Sequence, residues 1–230
     1  MKRYLLTFLF AVCTLAASSQ RPAEGLWITV NVPVVFSEKW QMHNDASYRT
    51  LGSSAHALQY LYRPGIRYTL NNSASIAAGV AFFATRTSFS SNNTEFGKEF
   101  RTWQELLLQK QAAEKWQWQA RVRTEQRFFR ETSQKPAVNA HRLRLRGSII
   151  RKLNDKWSVQ LSEEYMRQLS AHRFDFDQNR IILTGHYRIS TTAQLYAGYM
   201  YLLWPKASHQ HIVTIGFQKN IAFHETNTHN

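Results

Sequence analysis

Cysteine is all but missing from this sequence. Cys13 stands alone in 230 residues, which excludes an internal disulfide framework and a Cys-based zinc site. Long hydrophobic runs are missing too: beyond the N-terminus no stretch of about 18 apolar residues occurs, so helical membrane spans are excluded. Acidic residues are scarce, 15 Asp plus Glu against 29 Lys plus Arg, for a formal charge of +14. That balance invites a nucleic-acid reading, since basic stripes with interleaved aromatics hold phosphates. An export signal and a set of paired acids, both described below, argue against it. The spacings that carry hydrolytic chemistry are also lacking. No Gly-x-Ser-x-Gly and no His-Glu-x-x-His occurs among the nine His and many Ser, so the chain is read as not an enzyme and no cofactor is implied. His172, Asp175 and Asp177 read as solvated chemistry of a long loop. His209 and His211 share a strand face but lack a third ligand, so no metal is expected.

What is present is apolar and aromatic: 43% hydrophobic residues, with 7 Trp, 10 Tyr and 14 Phe. This is too apolar for a disordered chain, and the length suits one folded domain. Residues 1–19 read as a secretory signal peptide. Lys2 and Arg3 form its charged start, Tyr4 to Leu15 its apolar centre, and Ala17-Ser18-Ser19 the small residues before cleavage at Gln20. Cys13 leaves with it. The expected organisation is a signal peptide over 1–19, one β-barrel domain over 20–223 and a polar tail over 224–230.

Period two runs down almost all of the remaining chain. From Trp116 onward, Trp116, Trp118, Ala120, Val122 and Phe128 share one face and Gln117, Gln119, Arg121, Arg123, Glu125 and Arg127 the other. The pattern recurs at Leu143, Leu145, Gly147 and Ile149 against Arg142, Arg144, Arg146 and Ser148, and at Trp157, Val159 and Leu161 against Ser158, Gln160 and Ser162. Eleven such segments occur, near 26–36, 40–50, 57–69, 74–86, 98–110, 116–129, 141–151, 157–168, 178–188, 193–203 and 209–223. Each is long enough to cross a bilayer as a tilted strand. Short turns at 37–39, 71–73, 111–115, 152–156 and 190–192 alternate with longer polar loops at 51–56, 87–97, 130–140 and 169–177. Loops sorted in this way predict an all-β fold: an up-and-down antiparallel transmembrane β-barrel of about 10–12 strands, its short turns periplasmic. Ten or twelve is expected, because bacterial single-chain barrels have even counts. Pro33 marks the first strand as irregular or at the seam.

Two sets of residues stand out. An acid, a Lys and a Trp recur as Glu38-Lys39-Trp40, Glu114-Lys115-Trp116 and Asp155-Lys156-Trp157. A charged turn followed by Trp suits a membrane interface, where the indole sits at headgroup depth. Trp40, Trp116 and Trp157 are thus candidates for an aromatic girdle, with Tyr199, Tyr201 and Trp204 at the other end of their strand. The second set is an ionic ladder on the polar face: Glu99, Arg101, Glu105, Arg121, Arg123, Glu125, Arg127, Arg142, Arg144, Arg146, Glu164 and Arg180. A simple hairpin around Ala113 sets Glu105 beside Arg121, Arg101 beside Glu125 and Glu99 beside Arg127; the next two connections set Glu125 beside Arg144 and Arg146 beside Glu164. Inside a barrel these groups would fill a narrow lumen and neutralise one another.

Several blocks resemble a known family. The first strand around Trp27, the Lys-Trp strand starts, Arg101-Thr102-Trp103-Gln104, Arg121-Val122-Arg123-Thr124-Glu125-Gln126-Arg127-Phe128, Phe176-Asp177-Gln178-Asn179-Arg180 and Gly198-Tyr199-Met200 are similar to the domain-of-unknown-function 2490 family of outer-membrane proteins. The resemblance implies a β-barrel in a Gram-negative outer membrane and no assigned activity. Val213, Ile215, Phe217, Ile221 and Phe223 resemble the closing strand that the barrel assembly machinery recognises. The expected partners are therefore outer-membrane lipids, including lipopolysaccharide phosphates at a basic rim, and that machinery during biogenesis. The expected function is a non-catalytic outer-membrane barrel, either structural or a small anion or solute channel. Periodicity does not tell inside from outside, so a secreted soluble β-barrel or sandwich with an apolar ligand cavity is the alternative, beside an outer-membrane lipid-modifying enzyme.

Overall fold

Alternation as long as that around Trp116 forms strands because each face of a pleated chain meets one environment. In the computed structural model, which describes residues 23–52, 57–88, 95–170 and 173–223, nearly all of the described chain is strand. The signal peptide, the tail and His172 lie outside the described residues. In chain order the strands are β1 (Ala23–Asn31), β2 (Val34–Val35), β3 (Trp40–Thr50), β4 (Ala57–Asn71), β5 (Ala74–Arg86), β6 (Phe96–Ala113) and β7 (Trp116–Phe129). They continue with β8 (Val138–Lys152), β9 (Trp157–Ser170), β10 (Arg173–Arg188), β11 (Ala193–Leu203), β12 (His209–Lys219) and β13 (Ile221–Ala222). Each strand from β3 to β11 pairs antiparallel with the next in sequence.

The sheet closes on itself as an eleven-stranded barrel. β1 and β2 are two halves of one strand broken at Pro33, and β12 and β13 are halves of another. The count is odd, which corrects the expectation of ten or twelve. In an up-and-down meander an odd number brings the first and last strands to the seam running the same way. β1 accordingly pairs parallel with β12 from Ala23↔Gln210 to Asn31↔Gln218, and β2 parallel with β13. On its other edge β1 pairs antiparallel with β3, from Trp27↔Arg49 to Asn31↔Asp45. Proline, which cannot donate to a ladder, is confined to irregular positions; here the Pro33 carbonyl accepts from Ile221 N at 2.9 Å.

Turn chemistry fixes the short rim. Ser37 Oγ accepts from Trp40 N at 3.1 Å, and Asn154 Oδ1 from Lys156 N and Trp157 N at 2.9 Å each. Asn71 Oδ1 accepts from Ser73 N at 2.8 Å, and Ser190 Oγ from Ala193 N at 3.1 Å. Such side chains mimic a backbone turn and set where the next strand begins. The opposite rim carries the longer connections. The loop expected over 169–177 is largely strand instead: β9 runs to Ser170 and β10 starts at Arg173, with a bulge between Phe176 and Gln178.

The charged face is the inward one. Arg123 and Glu125 are each 2% exposed, whereas Leu183 is 50% exposed on the outside. An apolar component also lies inside: Trp103, Met166, Met200, Leu202 and Ile212 are fully buried. Trp103 lies across the inner wall where Gly65 and Gly79 leave room for it. A Cβ on Gly79 would sit 2.3 Å from the Pro64 carbonyl oxygen and 2.7 Å from Trp103 Cζ2.

Candidate functional site: a charged lumen with a basic cavity

The lumen is crossed by a continuous ion-pair network. Glu99 accepts from Arg101 Nε at 2.6 Å and Arg127 Nε at 2.6 Å. Arg101 Nη1 reaches Glu125 at 3.0 Å, and Glu125 in turn accepts from Arg144 Nη1 at 2.6 Å. Arg144 continues to Glu164 through Nε at 3.0 Å and Nη2 at 2.8 Å, and Glu164 also accepts from Arg121 and pairs with Arg180 at 3.6 Å. Arg121 leads on to Glu105 at 3.7 Å, which binds Arg123 at 2.5 and 2.8 Å and Arg67 at 3.3 Å. Asp177 Oδ2 lies 2.8 Å from Arg142 Nη2, an ion-pair distance without hydrogen-bond alignment.

The register of this network differs from the simple hairpin. A two-residue turn, Glu114-Lys115, with an irregularity between Gln111 and Ala113, moves the pairing so that Glu105 faces Arg123 and Arg101 faces Arg127. Across the next loop Glu125 faces Arg142 rather than Arg144. The Arg101–Glu125, Glu99–Arg127, Glu105–Arg121 and Glu125–Arg144 contacts are thus diagonal, the i to j±2 relation that long side chains span. Arg146 does face Glu164, yet its Nη2 donates to Ser162 Oγ at 3.0 Å instead.

Sequence reasoning missed several members. Asp45 on β3 accepts from Arg63 of β4 at 2.8 and 2.9 Å and lies 2.9 Å from His43 Nε2. His43, Asp45, Ser47 and Arg49 alternate on one face, which was the available signal. Asp177 is brought inward by the bulge in β10, for which the sequence offers no marker. Away from the rims, eleven arginines (49, 63, 67, 101, 121, 123, 127, 142, 144, 146 and 180) thereby share the described lumen with six carboxylates (45, 99, 105, 125, 164 and 177). The ladder does not neutralise itself. Arg49 and Arg146 make no ion pair with a carboxylate among the described residues. Arg49 Nη1 donates to Gln59 Oε1 at 2.7 Å, and its guanidinium lies over Trp27, Cζ 3.9 Å from the ring centroid.

A cavity of about 910 Å³ occupies the lumen on the side of the longer loops. Its mouth is formed by Thr87, Gly97, Thr132, Lys135 and Pro136 and its depth by Arg121, Arg144, Arg146 and Glu164. Five lining arginines, Arg49, Arg121, Arg142, Arg146 and Arg180, carry a buried Nε with no hydrogen-bond acceptor. A buried donor left without a partner costs about 1–3 kcal/mol, more when charged. No group of three or more His, Cys, Asp or Glu among the described residues is arranged to hold a metal.

The outer face is apolar between two aromatic zones. Trp40 and Trp157 project outward at the short rim and pack tilted against Tyr68 and Tyr187, centroids 4.7 Å apart in both pairs. Trp116 is outward beside Arg151. Tyr199 and Tyr201 lie on the outer face toward the longer loops, among His209 and His211, and the Tyr199 hydroxyl bonds His211 Nδ1. Trp204 is not part of this zone. It keeps the inward parity of Met200 and Leu202 and lines the cavity instead. Polar groups interrupt the outer face: Thr102, Gln104, Thr124 and Gln126 bond one another across β6 and β7, and Asn179 donates to Glu163 at 3.0 Å between β10 and β9.

Fold and site together define a closed all-β barrel with an apolar exterior and a charged, basic interior. The chain belongs to the family described as "Protein of unknown function (DUF2490)", whose model matches residues 24–212. No curated protein matches it. Among solved structures it is similar to the NanC porin, at 13% identity and a TM-score of 0.49 over 79% of this chain and 85% of that one. It is also similar to a loop L8 deletion mutant of OmpT, an outer membrane protein of Vibrio cholerae, at 13% identity and a TM-score of 0.45 over 75% of this chain and 56% of that one. OmpT expressed in the outer membrane gives 13% identity and a TM-score of 0.43, with 51% of that chain covered. The chain spans about half the length of the OmpT structures.

Proposed function

We propose that this protein is an exported, non-catalytic β-barrel of the bacterial outer membrane whose lumen is closed at mid-height. The observation that carries the reading is the inverted distribution of polarity. A soluble barrel buries its apolar face, whereas here Ile28, Tyr60, Phe82, Leu108, Leu161, Leu183 and Val213, each at least 39% exposed, cover the outside. Lipid is the solvent that suits such a surface, and a closed barrel satisfies its backbone polar groups within it. The Trp of the short rim then lie at headgroup depth, and Lys98, Arg130 and Lys135 at the other rim face the phosphates of lipopolysaccharide.

Closure is supported by what fills the interior. Trp103, Glu164, Met166 and Met200 are each at most 1% exposed, and the Arg and carboxylate network joins β4 and β6 through β10, with Asp45 and Arg63 a separate pair between β3 and β4, across the space a solute would need. Side chains fill barrels of about eight strands, and a strongly cross-linked interior does the same at eleven. The cavity is on this reading a cup open to the long-loop rim. Fractionating cells and running the outer-membrane fraction on an SDS gel with and without boiling tests the placement: a membrane pellet with a heat-dependent shift is expected, and a soluble periplasmic protein without one refutes it. Planar bilayers carrying the purified protein should show no steady conductance. Open-pore steps would replace the cup with a channel.

A further inference from the structure

We propose that the cavity on the long-loop side binds a small organic anion, a carboxylate, sulfonate or phosphate on an apolar body, with Arg49 and Arg180 contacting the charge beside Trp27. The proposal deepens the closed-barrel reading above and rests on it for the cup shape of the lumen.

Arg49 of β3 and Arg180 of β10 both lie over the same indole. Their Cζ atoms lie 3.9 and 5.2 Å from the Trp27 ring. Two cations held at one ring repel, and the protein supplies little to offset it there. Arg49 is held by Gln59, a neutral acceptor, and Gln59 is itself fixed by Thr85 at 2.6 Å. Arg180 is held by another neutral acceptor, Gln178 at 2.7 Å, while its ion pair with Glu164, at 3.6 Å, is looser than the bonds Glu164 makes to Arg144. Both Nε–H groups are buried without an acceptor. The guanidiniums are thus positioned mainly by amide side chains, Arg180 keeping one loose ion pair, whereas the other lumen arginines except Arg146 each pair closely with a carboxylate among the described residues.

Apolar side chains flank this charge, Leu202 directly across the strand pair from Arg180. Leu61, Phe83, Ile182, Met200 and Leu202 line the same space, with Trp204 beside them. A volume of about 910 Å³ falls in the range of small-molecule sites, about 300–1,000 Å³ with mostly apolar linings and a few placed polar groups. Fixed positive charge behind low-dielectric walls concentrates anions at the mouth. Inorganic ions alone would leave the apolar wall unused, so the ligand class is an anion that carries an apolar body.

The test is isothermal titration calorimetry on the full-length folded barrel in detergent, with naphthalene-1,5-disulfonate as probe. Sodium sulfate serves as the anion without an apolar body and 1,5-dihydroxynaphthalene as the body without charge. One site is expected for the disulfonate, at least tenfold tighter than for either control, weakening with added salt. Arg49→Gln and Arg180→Gln should each reduce its affinity at least fivefold while the heat-dependent gel shift is kept. If Arg49→Gln does not fold, Arg180→Gln and the loss of the ligand-induced fluorescence change in Trp27→Phe decide the matter. Absence of binding to a barrel that still shows its gel shift overturns this proposal and leaves the membrane reading intact. Equal affinity for sulfate or the neutral control, or unchanged affinity in both arginine variants, also overturns it. A soluble protein that binds the disulfonate through Arg49 would instead overturn the membrane reading alone.

Discussion

Arg144 grips Glu164 from one strand away, with Nε at 3.0 Å and Nη2 at 2.8 Å from Oε1, while its Nη1 holds Glu125 at 2.6 Å on the other side. Arg144 is thereby the joint of the lumen network, tying β7, β8 and β9 together at one point. Buried pairs of this kind gain little net stability over apolar packing, but losing one partner strands the others.

Glu164→Gln removes the charge that Arg121, Arg144 and Arg180 share. The expected loss is about 3–5 kcal/mol, the cost of breaking a buried pair, read as a lower midpoint of urea unfolding in micelles. Replacing both Arg144 and Glu164 by Met should cost less than the sum of the single changes. Additive losses would show that the two side chains do not act as a unit.

Two glycines separate close packing from open space. Gly79→Ala places a methyl against the Pro64 carbonyl and Trp103 and should destabilise by about 1–3 kcal/mol, the usual result of overpacking. Gly147→Ala meets nothing within 4 Å and should change stability by less than about 0.5 kcal/mol. Thermal unfolding of the two variants side by side checks the contrast, and equal losses would refute it.

Leu183→Arg puts a charge on the outer face, where Leu183 is half exposed. If lipid is the surrounding solvent, stability in bilayers should fall by about 2–4 kcal/mol, the cost at the midplane of a barrel. On a water-facing surface the same change is nearly neutral, so refolding into vesicles distinguishes the two environments.

The two longest rim loops are tethered by Glu95, which accepts from the Ser133 hydroxyl and from Ser133 N at 3.1 Å. The hydroxyl bond first, and the backbone bond with it, hold the Glu95 carboxyl below its ordinary value. A depressed folded value means the tether is fully present above the usual glutamate range and is lost as pH falls through the lowered folded value beneath it. Protection of the Ser133 amide, its exchange rate referred to the intrinsic rate at each pH, should fall under acid, and Ser133→Ala should abolish most of that pH dependence.

Much of this architecture was legible in the chain. Period-two alternation from Trp116 to Phe128 identifies strands because side chains on a pleat must alternate, and turn residues such as Asn154 and Ser190 announce their bonds by type. The recurrent Lys-Trp pairs locate one rim, since they begin strands after short turns. Trp204 follows Tyr199 and Tyr201 closely in sequence, but its parity is that of Met200 and Leu202 and turns it inward. Most of the loop expected over 169–177 is strand because pairing partners on β9 override local polarity: Arg173 to Phe176 find Ser170 to Arg167 opposite them.

The sequence by itself determined that this chain forms long amphipathic strands with one ionic and one apolar face, because that follows from alternation alone. Which face lies inside, how many strands close the ring and which charges meet are decided by tertiary structure. Closure through a parallel seam depends on β1 and β12 meeting across more than 170 residues. The diagonal ion pairs between β6 and β7 depend on a two-residue shift of register at one turn, and the Glu125–Arg144 pair on the register across the next loop. The surplus of arginine at Trp27 appears only when β3 and β10, far apart in sequence, are folded onto the same space. Long-range pairing and strand tilt set these distances, and neither is written in any local run of residues.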